Sequence, residues 1–251
     1  MQIEFDLSTV VGFLVAMVRC STFVALSPPF ASTLVPWRVK TGIIIAISLA
    51  IGPSFAGVAD PTDAGAFVGS LLMQALIGAT LGFTVWLFLA AIASAGDLID
   101  LSTGFSIAAA IDPISARQLG PIGRLYELMV SVLLFTTGAH TVIIRAFVSL
   151  DPGLSLNPAN IANGMVAASA KFFVAALEIA IPMMAVLMLA EVILGLVGRA
   201  APQLNLFVLG LAAKSVIALV MLSATIIMLP SATDALAVEA IRAFVLMISG
   251  G

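Results

Sequence analysis

The side chains that most often carry out chemistry in proteins are scarce in this sequence. Its 251 residues include one histidine, His140, and one cysteine, Cys20, whereas a zinc site or a nucleophilic triad draws on several such residues. The sequence has no nucleophile elbow and no phosphate-binding glycine loop. We therefore predict a non-enzymatic protein with no catalytic residue, no cofactor and no metal site. We interpret His140 as a polar residue near a helix end rather than as a proton relay.

Charged residues inside long apolar runs are the strongest pointers to function. Arg19, Glu178, Glu191 and Lys214 each lie within such a run, where an unpaired charge costs at least about 2.5–3.5 kcal/mol in a bilayer. These side chains are therefore expected to face protein or water and to have partners. Structural ion pairing, partly with other subunits, is the favoured interpretation, and a path for a substrate or proton is the alternative.

The overall composition is that of a membrane protein. Hydrophobic residues make up 62% of the chain and charged residues 9%, and the mean hydropathy is +1.23. Soluble domains carry roughly 25% charged residues, so this chain has too few to coat a solvated surface. The net charge of −3 gives no basic surface for nucleic acid. We therefore predict an integral membrane protein that contacts lipid.

Runs without charged residues predict the elements that position these side chains. We expect an all-α fold in which about six long hydrophobic helices form kinked hairpins within a single domain, 1–251. A helix of about 20 apolar residues spans the bilayer core. The expected segments lie near residues 8–34, 41–59, 64–96, 125–149, 165–197 and 203–230, followed by an amphipathic helix at 234–248.

Prolines and glycines refine this picture. Pro28-Pro29 should end the first helix, and Pro182 should kink the fifth. The pairs Gly65/Gly69 and Gly78/Gly82 have the four-residue spacing that lets helix backbones approach closely in membranes.

The segment 97–123, between the third and fourth hydrophobic elements, is the most unusual. Asp97 and Asp100 would share a helix face, and Asp112-Pro113 and Gly120-Pro121 are turn signals. A connection of this length is uncommon unless it has a role. A lid, plug or re-entrant loop is one interpretation, and a surface loop is the other.

Two stretches carry a family signature. The first is an apolar, glycine-containing run that ends in Asp112-Pro113, followed by Arg124 and Glu127 at the start of a hydrophobic helix, with His140 further on. The second runs from Gly198 to Gly210 and is followed by Lys214. Together they resemble the FliR family, subunits of the flagellar type III export gate whose injectisome counterpart is SctT.

The resemblance implies a structural subunit of a protein-export channel. Such a subunit is present once and assembles with several copies of FliP and FliQ, and its helices form tilted hairpins in a cone-like channel. Unfolded flagellar proteins would pass through this channel, and FlhB and FlhA would contribute to gating and energisation. The implied location is the bacterial inner membrane, in the flagellar basal body.

The resemblance also implies roles for individual residues. Gly104 to Asp112 fall on the family's plug loop, in which Phe105 is the one aromatic residue because Ile107 and Ala110 stand where relatives carry bulky aromatics. The expected plug or gate residues are Gly104, Phe105, Ser106, Ile107, Ala110, Ile111, Asp112 and Pro113. The expected structural or interface residues are Arg124, Glu127, Glu178, Glu191, Arg199, Pro202, Gln203, Asn205 and Lys214.

Two alternatives remain open at this point. A secondary transporter of a small solute or ion would explain the charges at Glu178, Glu191 and Lys214, although the sequence shows no inverted repeat. The equivalent subunit of a virulence injectisome would be the same machine with different cargo.

Overall fold

The computed structural model describes residues 7–28, 30–31, 35–105, 120–201, 203 and 205–249. Within these residues the regular secondary structure is entirely helical, which confirms the predicted all-α fold class. A short 3-10 helix (Gly52–Phe55) follows the second of the seven α-helices found in the described residues. The α-helices are α1 (Leu7–Leu26), α2 (Trp37–Ile51), α3 (Ala64–Thr103), α4 (Pro121–Thr136), α5 (Ala139–Val148), α6 (Pro158–Ala200) and α7 (Leu206–Ser249).

The helix lengths agree with a membrane protein of about six hydrophobic elements. Among the described residues, five helical segments are long and apolar enough to cross a bilayer: α1, residues 37–55, α3, α6 and most of α7. The helices α4 and α5 make a sixth if they are taken as one span with a break between them. Gly138 lies at this break with φ +83°, a left-handed conformation that glycine adopts without steric cost.

Several predicted boundaries differ from the observed ones. The helix expected at 64–96 continues to Thr103, so Asp97 and Asp100 belong to its last turns rather than to a connecting loop. The segment expected at 125–149 is two helices, and the expected helices at 203–230 and 234–248 are one continuous helix, α7. Pro182 and Pro230 both lie inside long helices. Membrane helices tolerate proline because neighbouring groups can satisfy the freed backbone carbonyl.

The described residues fall into two compact units. The first lies within 1–88, 138–169 and 237–251, and the second within 89–137 and 170–236. In the first unit, the rings of Phe23 and Phe147 stack with their centroids 4.3 Å apart. In the second, Ile92, Ile99 and Leu134 are buried.

The contact between α1 and α3 depends on two of the predicted small residues. A Cβ atom built on Gly78 would overlap the carbonyl oxygen of Arg19, and one on Gly82 would lie 2.9 Å from the carbonyl oxygen of Phe23. The backbones of α1 and α3 are therefore in direct contact at Gly78 and Gly82, as the four-residue spacing of these glycines predicts. Gly69 has no atom within 4 Å of such a Cβ position, so the Gly65/Gly69 pair makes no comparable contact among the described residues.

Two aspartates, Asp60 and Asp63, accept local hydrogen bonds in the connection that precedes α3. The Thr62 hydroxyl and amide both donate to Asp60, and these hydrogen bonds lower the pKa of the Asp60 carboxyl. Asp63 accepts hydrogen bonds from the amides of Gly65 (2.8 Å) and Ala66 (3.2 Å). Asp63 is therefore a local N-cap for α3.

Candidate functional site

The end of α3 and the start of α4 form a junction that borders the candidate plug. We call residues 96–105 and 120–127 the α3–α4 junction. α3 ends in a Schellman motif: the amide of Phe105 donates to the carbonyl of Asp100 (3.1 Å), and that of Gly104 to the carbonyl of Leu101 (3.3 Å). The motif needs a left-handed residue, and Gly104 has φ +90°.

The side chain of Asp100 begins the next helix. Asp100 is 1% exposed, and its carboxylate accepts hydrogen bonds from the amides of Ile122 (3.2 Å) and Gly123 (2.8 Å). These amides belong to the first turn of α4, which has no partner for them within its own helix. The negative charge also lies at the positive end of the α4 dipole. One residue of α3 therefore ends its own helix through its backbone and caps α4 through its side chain.

Glycines allow the two helices to meet at this point. A Cβ atom on Gly96 would lie 2.6 Å from the Cα of Gly123, so the helices approach backbone to backbone. A Cβ atom on Gly120 would overlap the Asp100 carboxylate, and one on Gly123 would overlap the Asp97 carboxylate. The space that side chains would need in α4 is occupied by carboxylates from α3.

Further contacts hold α4 in the second unit. Arg124 pairs with Glu127 on the same helix, and because both side chains are partly exposed this pair contributes little to stability. The hydroxyl groups of Tyr126 and Thr225 lie 2.8 Å apart and join α4 to α7. Tyr126 is fully buried, so its hydroxyl needs such a partner.

The structure describes only two of the expected plug residues. Gly104 and Phe105 are the last described residues after α3. The remaining expected plug residues lie outside the described residues: Ser106, Ile107, Ala110, Ile111, Asp112 and Pro113. The structure therefore describes the residues on either side of the expected plug segment, namely the end of α3 and the start of α4.

Two of the charged residues singled out in the sequence form an ion pair between α6 and α7. Lys214 Nζ lies 2.9 Å from Glu191 Oε1, with 16% of the Lys214 side chain and 67% of the Glu191 side chain exposed. The pair lies on a surface that also exposes apolar side chains such as Val192 and Leu219. Glu178 is likewise exposed on α6. These charges therefore lie on a surface of the chain rather than in its interior.

The polar turn between α6 and α7 is partly described. Arg199 lies in the last turn of α6 and Gln203 in an exposed turn, while Pro202 lies outside the described residues. Asn205 Oδ1 is 3.5 Å from the Val208 amide, and the Asn205 carbonyl accepts from the Leu209 amide at 3.1 Å. Asn205 is therefore placed as the N-cap of α7.

The most completely bonded charge is Arg19. Its side chain is fully buried in the first unit, and Nε donates to Gln74 Oε1 at 2.6 Å. The other guanidinium nitrogens donate to the carbonyls of Leu150 (3.4 Å) and Asp151 (3.1 Å). The guanidinium also lies 4.8 Å from the centre of the Phe55 ring, within cation–π range.

Gln74 is the residue that sequence reasoning missed. It is 2% exposed, and its Nε2 donates to the carbonyl of Pro152 at 2.8 Å. Gln74 lies in a run free of charged residues, and the composition of such a run predicts only a hydrophobic helix. A search for uncharged hydrogen-bonding side chains within apolar runs would have found it. In the described part of the chain, no three His, Cys, Asp or Glu side chains are grouped to hold a metal ion.

The long apolar helices and the close helix contact at the glycine-lined α3–α4 junction define the class of the protein: an all-α membrane protein. The family model for "Bacterial export proteins, family 1" matches residues 10–240. The chain belongs to this family, and it is a membrane-embedded structural component of type III protein export.

Relatives with descriptive names agree with this assignment. The chain is 30% identical over 198 residues to the flagellar biosynthetic protein FliR of Escherichia coli (strain K12), covering 77% of this chain and 76% of that protein. It is 31% identical to the FliR of Pectobacterium carotovorum subsp. carotovorum, with the same coverage. It is 29% identical to the surface presentation of antigens protein SpaR of Salmonella typhimurium, covering 73% of this chain and 70% of that protein. The resemblance to the FliR family is confirmed.

Proposed function

We propose that this chain is the FliR-type subunit of a flagellar type III export gate. One copy assembles with several copies of FliP and FliQ in the bacterial inner membrane, at the flagellar basal body. Unfolded flagellar proteins pass through the assembled channel, and FlhB and FlhA act in its gating and energisation. Support comes from the family match and from the relatives named as flagellar biosynthetic proteins.

The surface of α6 and α7 is the structural observation that carries the proposal. These helices have 43 and 44 residues, which is about 65 Å each and about twice the thickness of the bilayer core. Most of their apolar side chains are exposed in the isolated chain. The exposed Glu191–Lys214 pair lies on the same surface, and lipid solvates such charges poorly. Neighbouring protein subunits would cover the parts of α6 and α7 that extend beyond the bilayer core, and they would shield the Glu191–Lys214 pair from lipid.

Assembly tests this proposal directly. We expect co-expression with FliP and FliQ of the same bacterium to yield a large detergent-stable complex that contains one copy of this chain. Native mass spectrometry of the purified complex measures the copy number. A monomer or homodimer that binds neither FliP nor FliQ would contradict the proposal and would favour the alternative function, a secondary transporter of a small solute or ion.

The segment from Gly104 to Pro113 is proposed as the channel plug. Apolar side chains that project into a narrow lumen exclude water and ions until a substrate displaces them. Gly104 and Phe105 lie at its described end, and their amides make the two hydrogen bonds of the Schellman motif that ends α3.

Replacing residues 104–110 with a glycine/serine linker tests the plug. The linker begins with glycine because position 104 has φ +90°. We expect normal assembly and increased ion permeability, measured as membrane depolarisation in cells that express the complex. An equal-length replacement of residues 56–62, the connection before α3, is the control and should leave permeability unchanged. Equal permeability of the two variants would contradict the plug assignment.

The injectisome subunit is the second candidate function. The similarity to SpaR and the 28% identity to the Yop proteins translocation protein T of Yersinia pestis support it. Complementation separates the two: a flagellar subunit restores motility to a strain that lacks FliR. An injectisome subunit restores secretion of virulence effectors instead.

A further inference from the structure

We infer that Asp100 is a positioning residue that holds the end of α3 to the start of α4. Its consequence for export rests on the proposed function, because residues 104 and 120 flank the proposed plug. The inference itself concerns described residues of the second unit, and its first readout is independent of export.

The start of α4 lacks the means to cap itself. Gly120 occupies the N-cap position without a side chain, and Pro121 follows it without an amide hydrogen. Ile122 and Gly123 are buried, so water cannot satisfy their amides. Such buried donors require a partner, and both of their hydrogen bonds go to the Asp100 carboxylate.

The side chain of Asp100 occupies the space that a side chain at position 120 would need. An ordinary N-cap residue at position 120 would place its Cβ atom inside the Asp100 carboxylate. The glycine at 120 and the aspartate at 100 therefore depend on each other. A local cap such as Asp63 on α3 stabilises one helix only, whereas Asp100 stabilises the start of α4 and also fixes its position against α3.

These two roles can be separated by moving the carboxylate. Asp100→Ala removes both the cap and the link between the helices. A double variant, Asp100→Gly with Gly120→Asp, places a carboxylate at the N-cap of α4, where it can accept from the same two amides. Position 120 has φ −68° and ψ 171°, a conformation open to aspartate. Glycine at 100 removes the carboxylate and also the Asp100 Cβ, which would lie 2.6 Å from the new Cβ at position 120. This double variant restores the cap without restoring the link.

Three measurements on the assembled complex read the two roles. Hydrogen–deuterium exchange across residues 120–128 reports the cap. Electron-spin distances between labels on Leu101→Cys and Leu128→Cys report the link, since both positions are exposed and Cys20 is buried. Ion permeability in cells reports the consequence under the proposed function.

We expect Asp100→Ala to speed exchange at Ile122 and Gly123 by roughly ten- to a hundredfold, as expected for lost hydrogen bonds to a charged acceptor. The double variant should restore slow exchange, yet keep the broadened spin-label distances and the raised ion permeability of Asp100→Ala. Asp63→Ala is the matched control, because it removes a carboxylate cap that links no second helix. It should leave distances and permeability at the wild-type values.

Restoration of the narrow distances by the double variant would overturn the inference, since Asp100 would then be a cap alone. Unchanged exchange in Asp100→Ala would overturn it as well. If Asp100→Ala fails to assemble, the double variant still decides, because its α4 is capped. Broadened distances with unchanged permeability would instead count against the plug in the proposed function and leave the positioning role of Asp100 standing.

Discussion

Replacing Arg19 with methionine is expected to lower the free energy of unfolding of the purified protein by about 3 kcal/mol or more. Methionine fills the space but leaves the acceptors of Gln74, Leu150 and Asp151 without the guanidinium donors. Each buried group left unsatisfied costs about 1–3 kcal/mol. Thermal or denaturant unfolding in detergent, followed by circular dichroism, measures the change.

Arg38→Met is the control for Arg19→Met. Arg38 is exposed on α2, so its replacement should change stability by less than about 0.5 kcal/mol. Arg19→Lys should fall between the two, because one ammonium group cannot reproduce the planar fork of donors. Equal stability of the Arg19→Met and Arg38→Met variants would show that the buried network contributes nothing to folding.

The second large effect is expected from adding a single methyl group to α3. Gly78→Ala places a Cβ atom on the backbone carbonyl of Arg19. Backbone gives way less readily than a side chain, so α1 and α3 must separate, with an expected loss of stability of about 1–3 kcal/mol. Because the separation also moves Arg19 away from Gln74, the loss should lie at the upper end of that range. The same unfolding measurement reports it.

Gly69→Ala provides a control within the same helix. The Cβ position of Gly69 has no atom within 4 Å, and alanine is the better helix former by roughly 1 kcal/mol. We expect this variant to be as stable as the wild type or more stable. If Gly78→Ala were equally well tolerated, α1 and α3 would not be in contact at this glycine.

Composition and apolar runs were sufficient to predict an all-α membrane protein, because an excess of apolar residues leaves few other folds in a bilayer. The spacing of Gly78 and Gly82 also predicted a close helix contact that the structure shows. The identical spacing at Gly65 and Gly69 predicted one that the described residues do not show. Spacing alone does not say whether a second helix passes the glycines.

Boundaries were harder to predict where polar residues lie within helices. Asp97 and Asp100 interrupt the apolar run and suggested that α3 ends before them, yet Asp100 is buried because four backbone amides satisfy its carbonyl and carboxylate. The break expected between the segments 203–230 and 234–248 is likewise absent, because α7 continues through Pro230 and Asp234. The partner that makes a polar residue tolerable is distant in sequence, so a single sequence does not reveal it.

The hydrogen bonds of the α3–α4 junction have a consequence for which sequence changes this protein can accept during evolution. Gly104 ends α3, and Asp100 fixes the beginning of α4, so contacts among the described residues hold the two helix ends together. Insertions, deletions and changes of side-chain size between residues 106 and 119 are therefore compatible with an unchanged helical scaffold. The family signature that ends in Asp112-Pro113 would then be preserved by selection on the proposed plug, whereas Asp100, Gly104 and Gly120 would be preserved by selection on the fold.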